Sequence, residues 1–193
     1  MTGRLVVLAS GNGTNLQAVL DACAVNEISA DVVAVVSNVA DARALERART
    51  AGIEAIALTR HAGENRRDYD TRLVETVTRY APDFVVLAGW MLLLSSNFLD
   101  HVGCPVVNLH PALPGELPGI NSIERAHSEA VAGARTSSGV MVHFVPDEGV
   151  DDGPIIDTVE VPVSPSDSLE EFAARMHAAE HALLIKSLKQ LCA

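Results

Sequence analysis

Nearly continuous runs of Val, Leu and Ala alternate along the chain with segments of helical periodicity. Such runs are RLVVLAS (4–10), DVVAVVSN (31–38) and DFVVLAG (83–89). A strand that is apolar at almost every position is typical of a parallel strand covered on both faces of its sheet. Helices between the strands provide that cover. The sequence therefore predicts an α/β fold with a doubly wound, mostly parallel sheet of the Rossmann-like type.

The other elements follow from periodicity and from Gly and Pro punctuation. Further strands are predicted at 54–58, 104–108, 139–145 and 154–163, and helices at 14–23, 41–52, 66–80, 95–101, 122–132 and 168–191. No helix separates the last two strands, so we expect an antiparallel element near the C-terminal strands. Thr14 with Gln17 predicts a capping box on the first helix. We expect one domain, 1–193.

Charge and composition argue against several classes of protein. The chain has 14 basic and 25 acidic residues, a formal net charge of −11, whereas nucleic-acid binding needs a basic face. No apolar run approaches the ~18 residues of a membrane span. The three cysteines, Cys23, Cys104 and Cys192, are far apart and lack metal-type spacing. We therefore expect the thiols to be reduced and the protein to be cytoplasmic. We also expect it to bind neither nucleic acid nor membrane.

The segment SGNGTN (10–15) lies between the first strand and the first helix. Its glycines let the backbone approach a ligand, and a helix start offers unpaired N–H groups to an anion. Gly13, Thr14 and Asn15 are therefore candidate phosphate ligands. Leu16 replaces the third glycine of a dinucleotide motif, so a mononucleotide-like ligand is favoured over NAD. The alternative is an ordinary strand-to-helix turn.

Asn108 and His110 stand two residues apart after the apolar run CPVV, and an acidic loop, VPDEGVDDGP (145–154), comes later. An amide can stabilise a developing oxyanion, and an imidazole can move a proton. A carboxylate from that loop would raise the pKa of the imidazole and fix its tautomer. Without a nucleophile-elbow motif, direct attack by a substrate amine fits better than a covalent intermediate. Alternatively, these side chains only complete a turn.

HAAEH (177–181) matches the H-x-x-E-H pattern of inverted zinc proteases. His177 and His181 are four residues apart and share one helix face. A zinc site also needs a third ligand and a cleft, and this helix otherwise has the pattern of a packing helix. We therefore expect no metal here.

In combination, four motifs resemble the folate-dependent phosphoribosylglycinamide formyltransferase family of purine synthesis. They are VVLASGNGTNLQA, NLHPALPGELPG, VHFVPDEGVDDGPII and AAEH, in this order along nearly the whole chain. The resemblance implies that the amine of 5-phosphoribosylglycinamide attacks the formyl carbon of 10-formyltetrahydrofolate, the co-substrate. It also implies small-molecule substrates and is compatible with a homodimer.

The resemblance also implies roles for individual residues. Asn108 and His110 would stabilise the oxyanion, and Asp151 would pair with His110; Asp152, its neighbour in a presumed extended segment, would point away. The phosphate would lie on Gly13, Thr14 and Asn15, and the rest of the substrate near His177 and Glu180. The folate would contact the loop around Leu92, the acidic loop and, through its glutamyl tail, Arg66. In full, the implied folate ligands are Arg66, Met91, Leu92, Leu93, Leu94, Pro146, Asp147, Glu148, Gly149 and Val150.

The chain departs from the family pattern at Leu92, where an Arg is common, at Met141, and at Pro114, which is shifted by one place. Two other functions stay open. One is a related formyl-folate enzyme, such as a sugar-amine formyltransferase or a formyl-folate hydrolase. The other is a non-catalytic mononucleotide-binding module.

Overall fold

A computed structural model describes residues 2–193. Its strands are β1 (Gly3–Leu8), β2 (Ala30–Ser37), β3 (Glu54–Ala57), β4 (Phe84–Leu87), β5 (Val106–His110), β6 (Ser137–Phe144) and β7 (Ile155–Pro162). Its helices are α1 (Thr14–Ala24), α2 (Arg43–Thr50), α3 (Arg66–Thr78), α4 (Ser96–His101), α5 (Ser122–Val131) and α6 (Leu169–Leu191). No helix within residues 2–193 combines the length and the apolarity needed to cross a membrane.

All seven strands form one sheet in the order β3-β2-β1-β4-β5-β6-β7. The first five strands pair in parallel, and β5–β6 and β6–β7 pair antiparallel. The predicted mostly parallel α/β sheet and its antiparallel end are therefore confirmed. After β3 the chain returns to the other side of β1 to form β4, so the strand order reverses between β1 and β4. Ligands of such sheets bind beyond the carboxyl ends of the strands at this point.

The central strand β1 is buried on both faces. Leu5 and Val7 belong to one apolar cluster, which packs under α1, α2, α5 and α6, whereas Val6 and Leu8 belong to a second cluster under α3 and α4. Successive side chains of a strand point to opposite faces, so a strand between two helical layers must be apolar throughout. This burial accounts for the unbroken apolar runs in the sequence.

Two local predictions need correction. The predicted Thr14–Gln17 capping box is absent, because Gly13 is the N-cap of α1 in a left-handed conformation (φ 73°) and no side chain caps the helix. The Gln17 side chain instead bonds with Asp21 and Arg47. Strand β5 was predicted at 104–108 but extends to His110. Its parallel pairing with β4 ends at Asn108, whereas its antiparallel pairing with β6 continues to His110.

Candidate active site

A cleft of about 310 Å³ lies beyond the carboxyl ends of β4 and β5, next to the first turn of α1. One wall is the segment from Gly89 to Leu94, and a second wall is formed by Val145 and residues 147–151. The floor carries polar side chains, namely Asn15, Asn108, His110, His143, Asp151 and Glu180. Apolar walls around a few convergent polar groups are typical of a small-molecule site.

Asn108 and His110 lie on the same side of β5, since they are two residues apart in a strand. Asn108 Nδ2 donates to Asp151 Oδ1 at 3.0 Å. The same nitrogen lies 3.1 Å from Nε2 of His143, the residue directly opposite Asn108 on β6. His143 Nδ1 donates to the Phe144 carbonyl at 2.8 Å, so a neutral His143 ring presents an accepting Nε2 to Asn108. Both N–H groups of the Asn108 amide are thus engaged within the protein.

His110 is buried, and both of its ring nitrogens face acceptors. Nδ1 lies 3.3 Å from Asp151 Oδ2, and Nε2 lies 3.2 Å from the Leu117 carbonyl. Burial lowers the pKa of His110 below its usual value, and the neighbouring Asp151 carboxylate opposes this shift without cancelling it. The carboxylate acts in the predicted direction, but the net shift is downward, because desolvation of the imidazolium outweighs its attraction to one carboxylate.

Asp151 reaches three groups at once. Besides Asn108 and His110, its carboxylate accepts a hydrogen bond from the Gly119 N–H at 2.8 Å. Burial alone would raise the pKa of Asp151, but the contacts with His143, the Gly119 N–H and His110 together hold it below its usual value. Its backbone is left-handed, with φ 55°, so the assumption of an extended segment at 151–152 was wrong. The turn, rather than strand alternation, directs this carboxylate toward His110.

The predicted phosphate ligands lie at the first turn of α1. Gly13 precedes the helix, and the first N–H groups of a helix have no intrahelical partner, so they are available to an anion. An added Cβ at Gly13 would lie 2.8 Å from the Ala44 backbone. Asn15 lines the cleft, whereas Gly13 and Thr14 do not contribute to its lining.

Glu180 connects α6 to this end of the cleft. Its buried carboxylate lies 3.4 Å from Asn15 Nδ2 and 2.6 Å from His177 Nδ1. The bond to Glu180 raises the pKa of His177, against the effect of burial. His177 itself does not line the cleft. Across residues 2–193, no three His, Cys, Asp or Glu side chains are grouped as metal ligands require.

The predicted folate ligands fall into three groups. Met91 to Leu94 and Asp147 to Val150 line two walls of the same cleft, and Met91 and Leu93 are exposed apolar side chains. Arg66 instead lines a smaller pocket of about 190 Å³, together with Arg60. Residues 91–93 line both this pocket and the cleft. Pro146 lines neither pocket. Glu148 is already bonded to protein groups, Ser96 N–H and Arg66.

Sequence reasoning missed three residues that contact Asn108, His110 or Asp151: His143, Gly119 and Leu117. The signal for His143 was present, because it is an imidazole in the otherwise apolar strand GVMVHFV. Gly119 and Leu117 contribute backbone groups, an N–H to Asp151 and a carbonyl to His110. Backbone groups carry no residue-type signature, so no pattern indicated them.

The chain is similar in sequence to a known family and to proteins of known activity. The family model described as "Formyl transferase" matches residues 3–188. The phosphoribosylglycinamide formyltransferase of Escherichia coli (strain K12) is 45% identical over 93% of this chain and 82% of its own length. The enzyme of the same name from Schizosaccharomyces pombe is 42% identical over 99% of this chain and 98% of its own length.

The fold comparison agrees. The crystal structure of glycinamide ribonucleotide transformylase 1 from Symbiobacterium toebii superposes with a TM-score of 0.91 at 37% identity, over 99% of this chain and 88% of that one. The family model, the two relatives and this structure each cover most of the chain. The chain therefore belongs to the formyl transferase family.

Proposed function

We propose that this chain transfers the formyl group of 10-formyltetrahydrofolate to the amine of 5-phosphoribosylglycinamide in purine biosynthesis. The observation that carries the proposal is the convergence of Asn108, His110 and Asp151 on the floor of one cleft, next to the start of α1. The names of the relatives support the choice of substrates. The apolar 91–94 wall suits the pterin, and the α1 terminus suits the phosphate.

In this reaction the amine nitrogen forms a bond to the formyl carbon, and the carbonyl electrons move to its oxygen. Asn108 Nδ2 is the neutral donor for that oxyanion. The intermediate collapses by breaking the bond to folate N10, and a proton from the attacking amine is delivered to that nitrogen. A buried, neutral His110 suits the first half of this transfer as acceptor, and the resulting imidazolium beside Asp151 suits the second half as donor.

Two hydrogen bonds of the unliganded site must change during this cycle. The Leu117 carbonyl occupies His110 Nε2, and Asp151 and His143 occupy both N–H groups of Asn108. The oxyanion replaces one partner of Asn108. For Nε2 to exchange a proton with the substrate, the Leu117 carbonyl must move away from it; Leu117 has a left-handed backbone (φ 43°).

Phosphoribosylglycinamide and 10-formyl-dideazafolate, mixed with the protein, test the proposal. We expect folate-product absorbance that depends on both substrates. Product without the amine would identify a hydrolase, and product only with an amino sugar would identify a sugar-amine formyltransferase. No turnover with retained binding of the phosphorylated ligand would identify a binding module.

The setting of the enzyme is also part of the proposal. We expect a cytoplasmic protein, consistent with three cysteines that form no disulfide within residues 2–193. We expect small molecules rather than nucleic acid as ligands, consistent with the net charge of −11. A homodimer is compatible with the proposal, and sedimentation analysis decides it.

A further inference from the structure

The carboxylate of Glu148 is bound on both oxygens by groups of the protein. Oε1 accepts a hydrogen bond from the backbone N–H of Ser96, the first residue of α4, at 2.7 Å. Oε2 lies 3.3 Å from Arg66 Nη1 at the start of α3. The Ser96 N–H and Arg66 lower the pKa of Glu148, which keeps the group ionised at neutral pH. Glu148 thus joins the loop 146–153 to the helical layer on one side of the cleft.

The same loop is fixed on its other side by Asp151. Asp151 reaches across to Gly119, Asn108 and His110, as described above. Between and beyond these anchors the loop is tightly wound, since a Cβ at Gly149 would collide with the Asp152 carboxylate. A Cβ at Gly153 would collide with the Phe144 carbonyl. Glu148 and Asp151, three residues apart, are thus two anchors of one closely packed loop.

We propose that Glu148 is a positioning residue, which holds the loop 146–153 against α4 and thereby keeps the Asp151 carboxylate on His110. Its kinetic consequence rests on the proposed function. The inference differs from the prediction that Glu148 binds folate, because both carboxylate oxygens already have protein partners.

The bond to the Ser96 N–H is the more important of the two contacts. The Arg66–Glu148 pair is partly exposed, with side-chain exposures of 36% and 47%, and exposed ion pairs contribute little. A carboxylate that accepts from a backbone N–H forms a short, charge-assisted bond with a fixed direction. An uncharged acceptor of the same shape should therefore still hold the loop through the Ser96 N–H. Glu148→Gln introduces such an acceptor.

The experiment compares Glu148→Ala and Glu148→Gln with Asp152→Asn, which removes a charge from the same loop. We expect Glu148→Ala to lower kcat ~3- to 10-fold with the folate KM within ~2-fold, as for a misplaced proton-transfer group. Glu148→Gln and Asp152→Asn should each stay within ~2-fold of the parent kcat. A folate KM raised ~5-fold or more in Glu148→Ala with kcat unchanged would make Glu148 a folate ligand and overturn the inference.

A second readout does not need activity. The His110 imidazole is titrated by NMR in the unliganded protein, where Asp151 and His143 are the titratable groups that act on it. Asp151 raises the pKa of His110, so Glu148→Ala should move its titration to lower pH, and Glu148→Gln should not. An unchanged titration in Glu148→Ala overturns the positioning role. Absence of formyl transfer by the parent protein would contradict only the proposed function.

Discussion

Asp151 Oδ2 lies 3.3 Å from His110 Nδ1, and Asp151 holds this position from a left-handed backbone conformation with φ 55°. Non-glycine residues adopt this conformation uncommonly, although Asp and Asn tolerate it better than most. Three contacts of the carboxylate, with Gly119, Asn108 and His110, stabilise the turn. The residue with the left-handed backbone is therefore also the one whose carboxylate is held against His110, the proposed proton-transfer group.

Asp151→Asn keeps the shape and the backbone tolerance but removes the charge. Without the carboxylate, the imidazolium that forms during transfer loses its partner, so chemistry should suffer more than binding. We expect kcat to drop ~10²- to 10⁴-fold with substrate KM values within a few-fold. Steady-state kinetics in both substrates measure this.

Asp152→Asn and Asp147→Asn are the matched variants for that experiment. Neither carboxylate contacts His110 in the structure, and Asp147 Oδ1 instead accepts from the Gly149 N–H. Asp152→Asn should keep kcat within ~2-fold of the parent, and Asp147→Asn within ~10-fold. If kcat were strongly reduced in Asp152→Asn but nearly unchanged in Asp151→Asn, the carboxylate beside His110 would be that of Asp152, and the assignment of Asp151 would be wrong.

The lowered pKa of His110 predicts an acid limb in the pH profile. The neutral imidazole accepts the proton, so kcat should fall as the pH drops below the ordinary histidine value of 6.5 and passes through the lower folded pKa. Asp151 raises the pKa of His110, so any residual activity of Asp151→Asn should have its acid limb at lower pH. An acid limb moved to higher pH would contradict this electrostatic assignment.

The same shift makes stability depend on pH. The unfolded chain binds a proton at His110 more readily than the folded protein does. Keeping His110 neutral therefore contributes stability above pH 6.5, which is lost as the pH falls through the folded pKa. The free energy of unfolding, measured with denaturant between pH 5 and 7.5, should depend less steeply on pH in His110→Gln than in the parent. Equal slopes would exclude His110 as the titrating group.

Gly13→Ala tests the phosphate site and its geometry together. The added Cβ meets the Ala44 backbone at 2.8 Å, and φ is 73°. We expect a loss of unfolding free energy of ~2 kcal/mol or more. The displaced N–H groups should raise the KM for the phosphorylated substrate ~10-fold, or about 1.4 kcal/mol, with little change in the folate KM.

Gly11→Ala is the stability control, because Gly11 has an ordinary φ and open space around its Cα. Its unfolding free energy should stay within ~0.5 kcal/mol of the parent. Equal KM increases for both substrates in Gly13→Ala would argue against a dedicated phosphate site at α1.

Treatment with a strong chelator should leave the rate of formyl transfer unchanged, and elemental analysis should find no stoichiometric zinc. His177 Nδ1 is bonded to Glu180, which favours a role beside the substrate over metal ligation. Stoichiometric zinc that disappears in a His177→Ala, His181→Ala double variant would contradict this interpretation of α6.

The sequence alone determined the class of fold and the neighbourhood of the site. The part of β1 from Leu5 to Leu8 is apolar at every position and buried, and such a run has a stable place only between two helical layers, which dictates the doubly wound sheet. The placement of Asn108 and His110 near the carboxyl end of a central strand follows from the same pattern. The position of SGNGTN between β1 and α1 follows from the same pattern, because it depends only on the order of strands and helices along the sequence.

Only the tertiary structure decided which groups meet and in what charge state. His143 faces Asn108 because β6 pairs antiparallel with β5, a register that depends on contacts distant in sequence. Asp151 reaches His110 through a left-handed turn rather than through strand alternation. The sign of the pKa shift of His110 depends on how deeply the folded chain buries it, and burial is a property of the whole packed core.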